Sequence, residues 1–511
     1  MTAPKFLDLT DADGSGSLGR QTILWSSFVF LLVAAAFVVR LWGLSKMHYW
    51  DEAVYLQNAE VICCGKTNYS ELISRPPLLS LFFAFVFLFW HHIYAACIAT
   101  ALVNALGAAL LFAAGRKIAG PIPAAIASLL LAFLPFMVGI IPAGFQWDNT
   151  GNSLLSDCPA LTLILLAFWL LLRALKKETS LRFASAGFVM ALAVLMRFPS
   201  LASVGMISLL ALMAQRRLRA VAACAIGFAI GFAPYLIWSR IAYGGFLATL
   251  LSGWDNFDGP EESPLFFLRN FTRIFGWITV AGLALWIGSR AWEWWKRKAS
   301  RGCDNPAQPA VETPLRRLEG FLWLWAAGVL LCFSALSHKE PRYILPLAPP
   351  LFLLAGGGLS VLVEGRRGAL RIAGSVLLAG ALACAFLPTI HLFGTPFLDD
   401  KVTDQMEASD FLTKNLAPSA VLYTKVDYPV FAYYTRLKVV PIFGTGDDVN
   451  DTLDHLPEDG VFIAYKENDT DGDGPRLSWL DANPHFRRLR EYPSIVLYSY
   501  RAGEPQGKPP L

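Results

Sequence analysis

The sequence predicts an α-helical polytopic membrane protein of about 11 to 13 transmembrane helices with a small C-terminal α/β extracytoplasmic domain. Three observations predict it. Of the 511 residues, 55% are hydrophobic and only 16% charged, against roughly a quarter charged in an ordinary soluble domain. The apolar residues gather in runs of about 17 to 25, the length that crosses a hydrocarbon core of roughly 30 Å. After residue 391 those runs give way to charges, turns and short alternating segments.

In chain order, residues 1–21 read as a polar cytoplasmic tail. Apolar runs follow near 22–43, 93–115, 121–141, 157–174, 181–196, 199–214, 220–240, 269–289, 319–336, 343–363 and 369–391. No small-residue cleavage site follows the first run, so it reads as a retained helix rather than a removable signal peptide. Basic residues fill alternate connections: Arg116 and Lys117; Arg173, Lys176, Lys177 and Arg182; Arg216, Arg217 and Arg219; residues 290–317; Arg366, Arg367 and Arg371. The positive-inside rule puts these in the cytoplasm together with the amino terminus. The outer connections are then 44–92, 142–156, the turn at Arg197, 241–268, 337–342 and everything after 392. Leu78–Trp90 is apolar but short for a crossing and follows Pro76-Pro77, so it reads as a re-entrant or interface-lying helix of the first outer loop. The membrane domain is expected over 22–391. The soluble domain is expected over 392–511, with helices at 405–415 and 448–456 among strands at 420–425, 438–443, 460–465 and 495–500.

A net charge of +4 spread over this length argues against a nucleic-acid partner. The eight cysteines are scattered, with only Cys63 and Cys64 adjacent, and predict neither a zinc site nor a disulfide framework. Asp11–Leu18 copies the start of an EF-hand loop but has Thr22 where the bidentate Glu belongs. Asp469–Gly474 reads as an Asp/Gly turn.

Charged residues in the outer connections carry the chemistry. They are Asp51 and Glu52, Arg75, Asp157, Arg197, and the run His338, Lys339, Glu340, Arg342 and Tyr343. Ionisable residues at the edges of spans on one membrane face are a functional hypothesis by default. The inventory suits glycosyl transfer from a lipid phosphate. The phosphate is already a good leaving group, so its growing charge needs a cation, for which Arg75, His338, Lys339 and Arg342 are the candidates. The acceptor hydroxyl must lose a proton, which a carboxylate can take. Asp51 is the first choice, with Glu52 or Asp157 orienting the acceptor or holding a divalent metal ion. A base acting opposite the leaving phosphate implies inversion at the anomeric carbon. Arg197, Glu340 and Tyr343 are secondary members.

Each has a plainer use. Asp51, Glu52 and Asp157 suit helix starts, where the dipole favours acids, and Arg75 and Arg197 suit interface anchors whose stems snorkel. Four ionisable residues in the five positions from His338 to Arg342 exceed what anchoring needs.

Three stretches resemble family 39 of the GT-C superfold, the protein O-mannosyltransferase and aminoarabinose transferase relatives. They are Tyr49–Tyr55 with Arg75-Pro76-Pro77-Leu78, Leu155–Pro159, and Ala193–Pro199. Ser337–Pro346 is similar to the HKE-x-R signature of dolichyl-phosphate-mannose-dependent mannosyltransferases in a sister family. The resemblance implies a GT-C transmembrane domain over 22–391 and a polyprenyl-phosphate-linked sugar as donor. It implies a lipid, glycan or protein acceptor. It also implies Asp51 as the acidic catalytic position, Asp157 as the second acidic position, and Arg75 as the cation near the lipid phosphate. Without an inserted β-trefoil domain, the chain resembles most the bacterial members of the inner (plasma) membrane. A transporter or lipid flippase is the competing class, but it would carry its charges near the bilayer midplane on broken helices in two related halves. Here the span interiors are almost free of charge.

Overall fold

The computed structural model describes residues 18–42, 50–65, 75–138, 154–176, 179–215, 218–255, 262–300, 314–364, 368–391, 400–442, 447–467 and 475–502. The helices are α1 (Leu18–Trp42), α2 (Trp50–Cys64), α3 (Pro77–Phe87), α4 (Ile93–Ala119), α5 (Pro121–Phe133), α6 (Pro135–Val138), α7 (Asp157–Lys176), α8 (Ser180–Met196), α9 (Leu201–Gln215) and α10 (Leu218–Tyr243). They continue with α11 (Ala248–Asp255), α12 (Phe266–Arg269), α13 (Phe271–Ser300), α14 (Pro314–Ser334), α15 (Ala348–Ser360), α16 (Ala369–His391) and α17 (Asp400–Asn415). After β1 (Val421–Thr424) come α18 (Tyr428–Thr435), β2 (Lys438–Pro441), α19 (Asp447–Asp454), β3 (Gly460–Tyr465), α20 (Leu477–Ala482), β4 (Phe486–Glu491) and β5 (Ile495–Tyr500). The EF-hand-like stretch 11–17, the Asp/Gly stretch 469–474 and Tyr49 lie outside the described residues.

Each of the eleven apolar runs is helical over most of its described length. Among the described residues, seven helical stretches are long and apolar enough to cross a membrane, and shorter apolar helices cover the runs at 121–133, 180–196, 198–213 and 318–334. Leu78–Trp90 forms α3, which at 11 residues is about 16 Å long and so short of a crossing.

The chain divides into two compact units. One is Met1–Ser45, Ile73–Leu79 and Ile93–Thr395, and the other is Lys46–Leu72, Ser80–His92 and Pro396–Leu511. Much of the connection between α1 and α4 therefore clusters with the C-terminal segment.

In the first unit α15 is buried along its whole length, while α1 and α16 turn large apolar side chains outward, among them Phe30, Leu31, Leu370 and Val376. An apolar surface of that kind suits lipid rather than water. Glycines set how closely the helices approach. A Cβ on Gly187 of α8 would stand 1.9 Å from the Cys224 carbonyl oxygen of α10, and one on Gly227 of α10 would stand 1.9 Å from that of Ala184. The backbones of α8 and α10 touch there, as small residues permit in membranes. Gly358 of α15 meets Gly282 of α13 in the same way.

The end of α5 shows how a buried cation is used. Pro135 has no N–H for the Leu131 carbonyl, so the helix stops and its last carbonyls need other donors. The Leu134 N–H bonds the Leu130 oxygen at 3.0 Å. The Arg40 guanidinium of α1, 2% exposed, donates to the Leu131 and Ala132 oxygens at 3.2 and 3.0 Å. The Thr389 hydroxyl donates to Phe133 at 2.8 Å. A cation at a helix carboxyl end is also favoured by the dipole.

In the second unit a five-stranded sheet has the order β2-β1-β3-β5-β4. β2, β1 and β3 are parallel, and β5 and β4 are antiparallel additions. Its two faces carry separate apolar cores. One holds Leu422, Phe431 and Leu497, and the other Tyr423, Phe462 and Tyr498. The expected strands and both expected helices are present. α18, α20 and β4 are additional. The expectation of no disulfide framework is corrected at one point, because Cys63 and Cys64 are bonded to each other. Adjacent cysteines at a helix end can close such a ring, which counting spacings between distant cysteines does not detect.

Candidate functional site

In the first unit, three connections bring charged side chains together. α7 starts at Asp157, an acid in the first turn as the helix dipole favours. α8 ends because Pro199 offers no N–H to the Leu195 carbonyl. Arg197 is left extended (φ −155°, ψ 114°) with its N–H on the Ala193 oxygen. The third connection runs from α14 through residues 337–340 into a 3-10 turn, Pro341–Leu347.

The Arg197 guanidinium donates to Asp157 Oδ2 at 2.8 Å, with the Asp157 side chain 1% exposed and the Arg197 side chain 16%. The same guanidinium lies over the Tyr343 ring, 5.4 Å from its centroid, a cation–π arrangement. The His338 ring stands edge-on to Tyr343 at 6.1 Å. Glu340 links the run: His338 Nε2 lies 3.1 Å from its Oε1, and Arg342 Nε donates to its Oε2. Burial pushes the Glu340 carboxyl up, but the charge of Arg342, hydrogen bonds from Arg342 and His338, and the charge of Arg197 outweigh it and hold the carboxyl below its ordinary value. Asp157, Arg197, His338, Glu340, Arg342 and Tyr343 thus form one network.

Lys339 is used differently. Its ammonium is buried and donates to the carbonyls of Glu262, at 2.8 Å, and of Leu336 and Ser337, tying residue 262 to the loop. Arg75 belongs to the same compact unit and is half-buried in the turn before α3. Asp51 and Glu52 open α2 in the second unit, Asp51 half-buried and Glu52 buried.

Two polar groupings go beyond the sequence-derived candidates. Arg40 is one, and its signal was a lone cation inside an otherwise apolar run. The other is Glu60 on α2, with His91 Nε2 at 2.9 Å and Arg436 at 4.0 Å. Nothing in the sequence signals a contact between residues so far apart. Among the described residues, no group of three or more His, Cys, Asp or Glu side chains is placed to hold a metal ion.

The fold is shared with membrane glycosyltransferases of the GT-C class. ArnT from Cupriavidus metallidurans, solved bound to undecaprenyl phosphate, superposes with a TM-score of 0.64 at 16% identity, over 94% of this chain and 100% of that one. The Archaeoglobus fulgidus oligosaccharyltransferase gives a TM-score of 0.60 at 12% identity, over 92% of this chain and 73% of that one. At such identities the likeness is one of fold. The protein is accordingly an integral membrane protein of GT-C architecture.

The family profile of the Alg9-like mannosyltransferases matches residues 26–425, more than half of the chain, and the protein belongs to that family of glycosyltransferases. A stretch of 167 residues is 29% identical to GPI mannosyltransferase 3 of Schizosaccharomyces pombe, covering 32% of this chain and 27% of that protein. Family 39 is a neighbour of this family within the GT-C superfamily.

Proposed function

We propose that the protein transfers a mannosyl unit from a polyprenyl-phosphate carrier to a hydroxyl of a lipid, glycan or protein acceptor on the outer side of a bacterial plasma membrane. The observation that carries this reading is the network joining Asp157, Arg197, Tyr343, Glu340, Arg342 and His338 on connections between apolar helices. The family description favours mannose. The undecaprenyl phosphate of the ArnT structure favours a polyprenyl phosphate.

In this reading the acceptor oxygen attacks the anomeric carbon, the bond from that carbon to the phosphate oxygen breaks, and the carrier leaves as its phosphate. Arg342, His338 and Arg75 receive the growing charge. Asp51 takes the acceptor proton. Asp157, already neutralised by Arg197, is a poor base, and its role is to hold that guanidinium in place. Lys339 fixes the loop rather than the phosphate. Attack opposite the leaving group inverts the sugar. A divalent ion on Asp51 and Glu52 would be an addition to this scheme, and chelator in the assay separates the two versions: transfer stops if the ion is needed and continues if the carboxylates act alone.

The test is purified protein in nanodiscs with radiolabelled mannosyl undecaprenyl phosphate and a membrane extract as acceptor. Label passing to an inverted product supports the reading. A product of retained configuration contradicts the single displacement, and label that never leaves any polyprenyl carrier contradicts the donor class. Protease protection of the C-terminal segment in sealed vesicles tests its side of the membrane.

A further inference from the structure

We infer that α18 is a splint for α2 and, given the proposed role of Asp51 as the base, that Tyr428 and Arg436 are positioning residues for the reaction. Both helices belong to the same compact unit, and α18 packs along α2. Two contacts fix how it lies. Trp50, the first residue of α2, meets Tyr428, the first of α18, edge to face with 5.5 Å between ring centroids. Further along α2, Arg436 just past the end of α18 stands 4.0 Å from Glu60 Oε1. Residues 50 to 60 of one helix span about 15 Å and 428 to 436 of the other about 12 Å, so the two run side by side in the same direction and touch at both ends.

Each anchor is itself held. The Glu60 side chain is 3% exposed, and a buried carboxylate needs its partners; His91 Nε2 lies 2.9 Å from the same oxygen. On its other side α18 is tied into the sheet, with Phe431 and Ala432 fully buried in the core that holds Leu422 and Leu497. Its two flanks, Asp427 and Arg436, sit in the left-handed region at φ 55° and 59°, and among the described residues no other non-glycine residue has a positive φ. Such conformations persist where the surroundings over-determine them. Gln405 Nε2 of α17 donates to Asp427 Oδ2 at 2.8 Å at one flank, and the Arg436 N–H donates to the Ala432 oxygen at 3.1 Å at the other. α18 is therefore firmly set in the sheet domain, and α2 takes its position and rotation from it. Asp51 follows Trp50 directly. A displacement of 1 Å at a reacting group can cost about a hundredfold in rate, so a slack α2 slows the reaction with every reacting residue still present.

Full-length protein in nanodiscs is followed by two readouts: amide hydrogen exchange over residues 50–60, and kcat and KM for mannosyl polyprenyl phosphate. Tyr428→Ala should speed exchange of α2 at least tenfold and lower kcat at least tenfold with KM within twofold of wild type, the sign of lost transition-state stabilisation rather than weaker substrate binding. Tyr428→Phe keeps the ring and should restore most of both, and Tyr428→Leu serves if Tyr428→Ala does not fold. Trp479→Ala removes a large ring from the core on the other face of the sheet and should leave both readouts unchanged. Unchanged α2 exchange in Tyr428→Ala, a wild-type kcat despite faster exchange, or an equal loss in Trp479→Ala overturns the splint. Exchange needs no substrate, so a wild type that transfers no label contradicts the proposed reaction, while the exchange rates still decide whether α18 holds α2.

Discussion

Arg197 and Asp157, 40 residues apart in sequence, meet at 2.8 Å between the end of one membrane helix and the start of another. A buried ion pair contributes little net stability, but removing one partner leaves a buried charge and costs about 3–5 kcal/mol. Arg197→Ala and Asp157→Asn should each lower the thermal midpoint in detergent by several degrees. The double variant should lose less than the sum. Strict additivity in that cycle would show that the pair does not act as a unit.

Arg40 should prove structural rather than catalytic. Arg40→Leu removes donors from the Leu131 and Ala132 carbonyls, and each buried carbonyl left unbonded costs about 1–3 kcal/mol. Adding Pro135→Ala restores an N–H near Leu131 and should recover part of the stability, measured as thermal midpoint. No recovery would mean that Arg40 acts through something other than capping.

Gly227→Ala should destabilise the protein more than an exposed glycine change. Its Cβ would fall 1.9 Å from the Ala184 carbonyl oxygen, whereas a Cβ on Gly205 meets nothing within 4 Å. The helices must move apart, and overpacking of this kind costs about 1–3 kcal/mol. Thermal midpoints of Gly227→Ala and Gly205→Ala make the comparison, and equal values would contradict the close crossing of α8 and α10.

Glu340 fixes an acid-side pH dependence. Its carboxyl is held below the ordinary value in the folded protein by Arg342, His338 and Arg197 against the effect of burial. The unfolded chain therefore binds the proton first, at about pH 4.3. Stability from this group is complete above that value and is lost as pH falls through the lower folded one. Asp481, held down chiefly by its hydrogen bond from Arg488, acts in the same direction, so the readout is the difference between wild type and Glu340→Gln. The variant should lose less stability below about pH 5. An unchanged acid limb would place Glu340 outside the ion network.

The membrane helices were legible because each carries its own signal: a run of apolar residues bounded by Pro, Gly or charge. The Asp157, Arg197 and His338–Tyr343 candidates were legible for a related reason, since charge at a span edge stands out. The elements that escaped lack local signals. β4 reads Phe-Arg-Arg-Leu-Arg-Glu and is exposed at all but its first position. Edge strands carry charge to discourage aggregation, which erases the alternation that marks a strand. α18 is rich in aromatic residues that favour strands, and its helix follows from packing on α2 and α17. The clustering of residues 46–72 with the C-terminal segment rests on long-range contacts such as Trp50 with Tyr428, 5.5 Å between ring centroids, which no local pattern reports. The contacts of Lys339 with the carbonyls of Glu262, Leu336 and Ser337 likewise have no local signal, since Glu262 is far from the loop in sequence.

Sugar transfer from a polyprenyl phosphate with Asp51 as the base is the proposed reaction. The most direct measurement is the rate of label transfer from mannosyl polyprenyl phosphate in membranes containing wild type or Asp51→Asn at matched expression. Wild type should transfer the label, and the variant should lose on the order of a hundredfold or more in rate. Equal transfer by the two proteins would remove Asp51 as the base, and no transfer by wild type from any polyprenyl carrier would contradict the reaction itself.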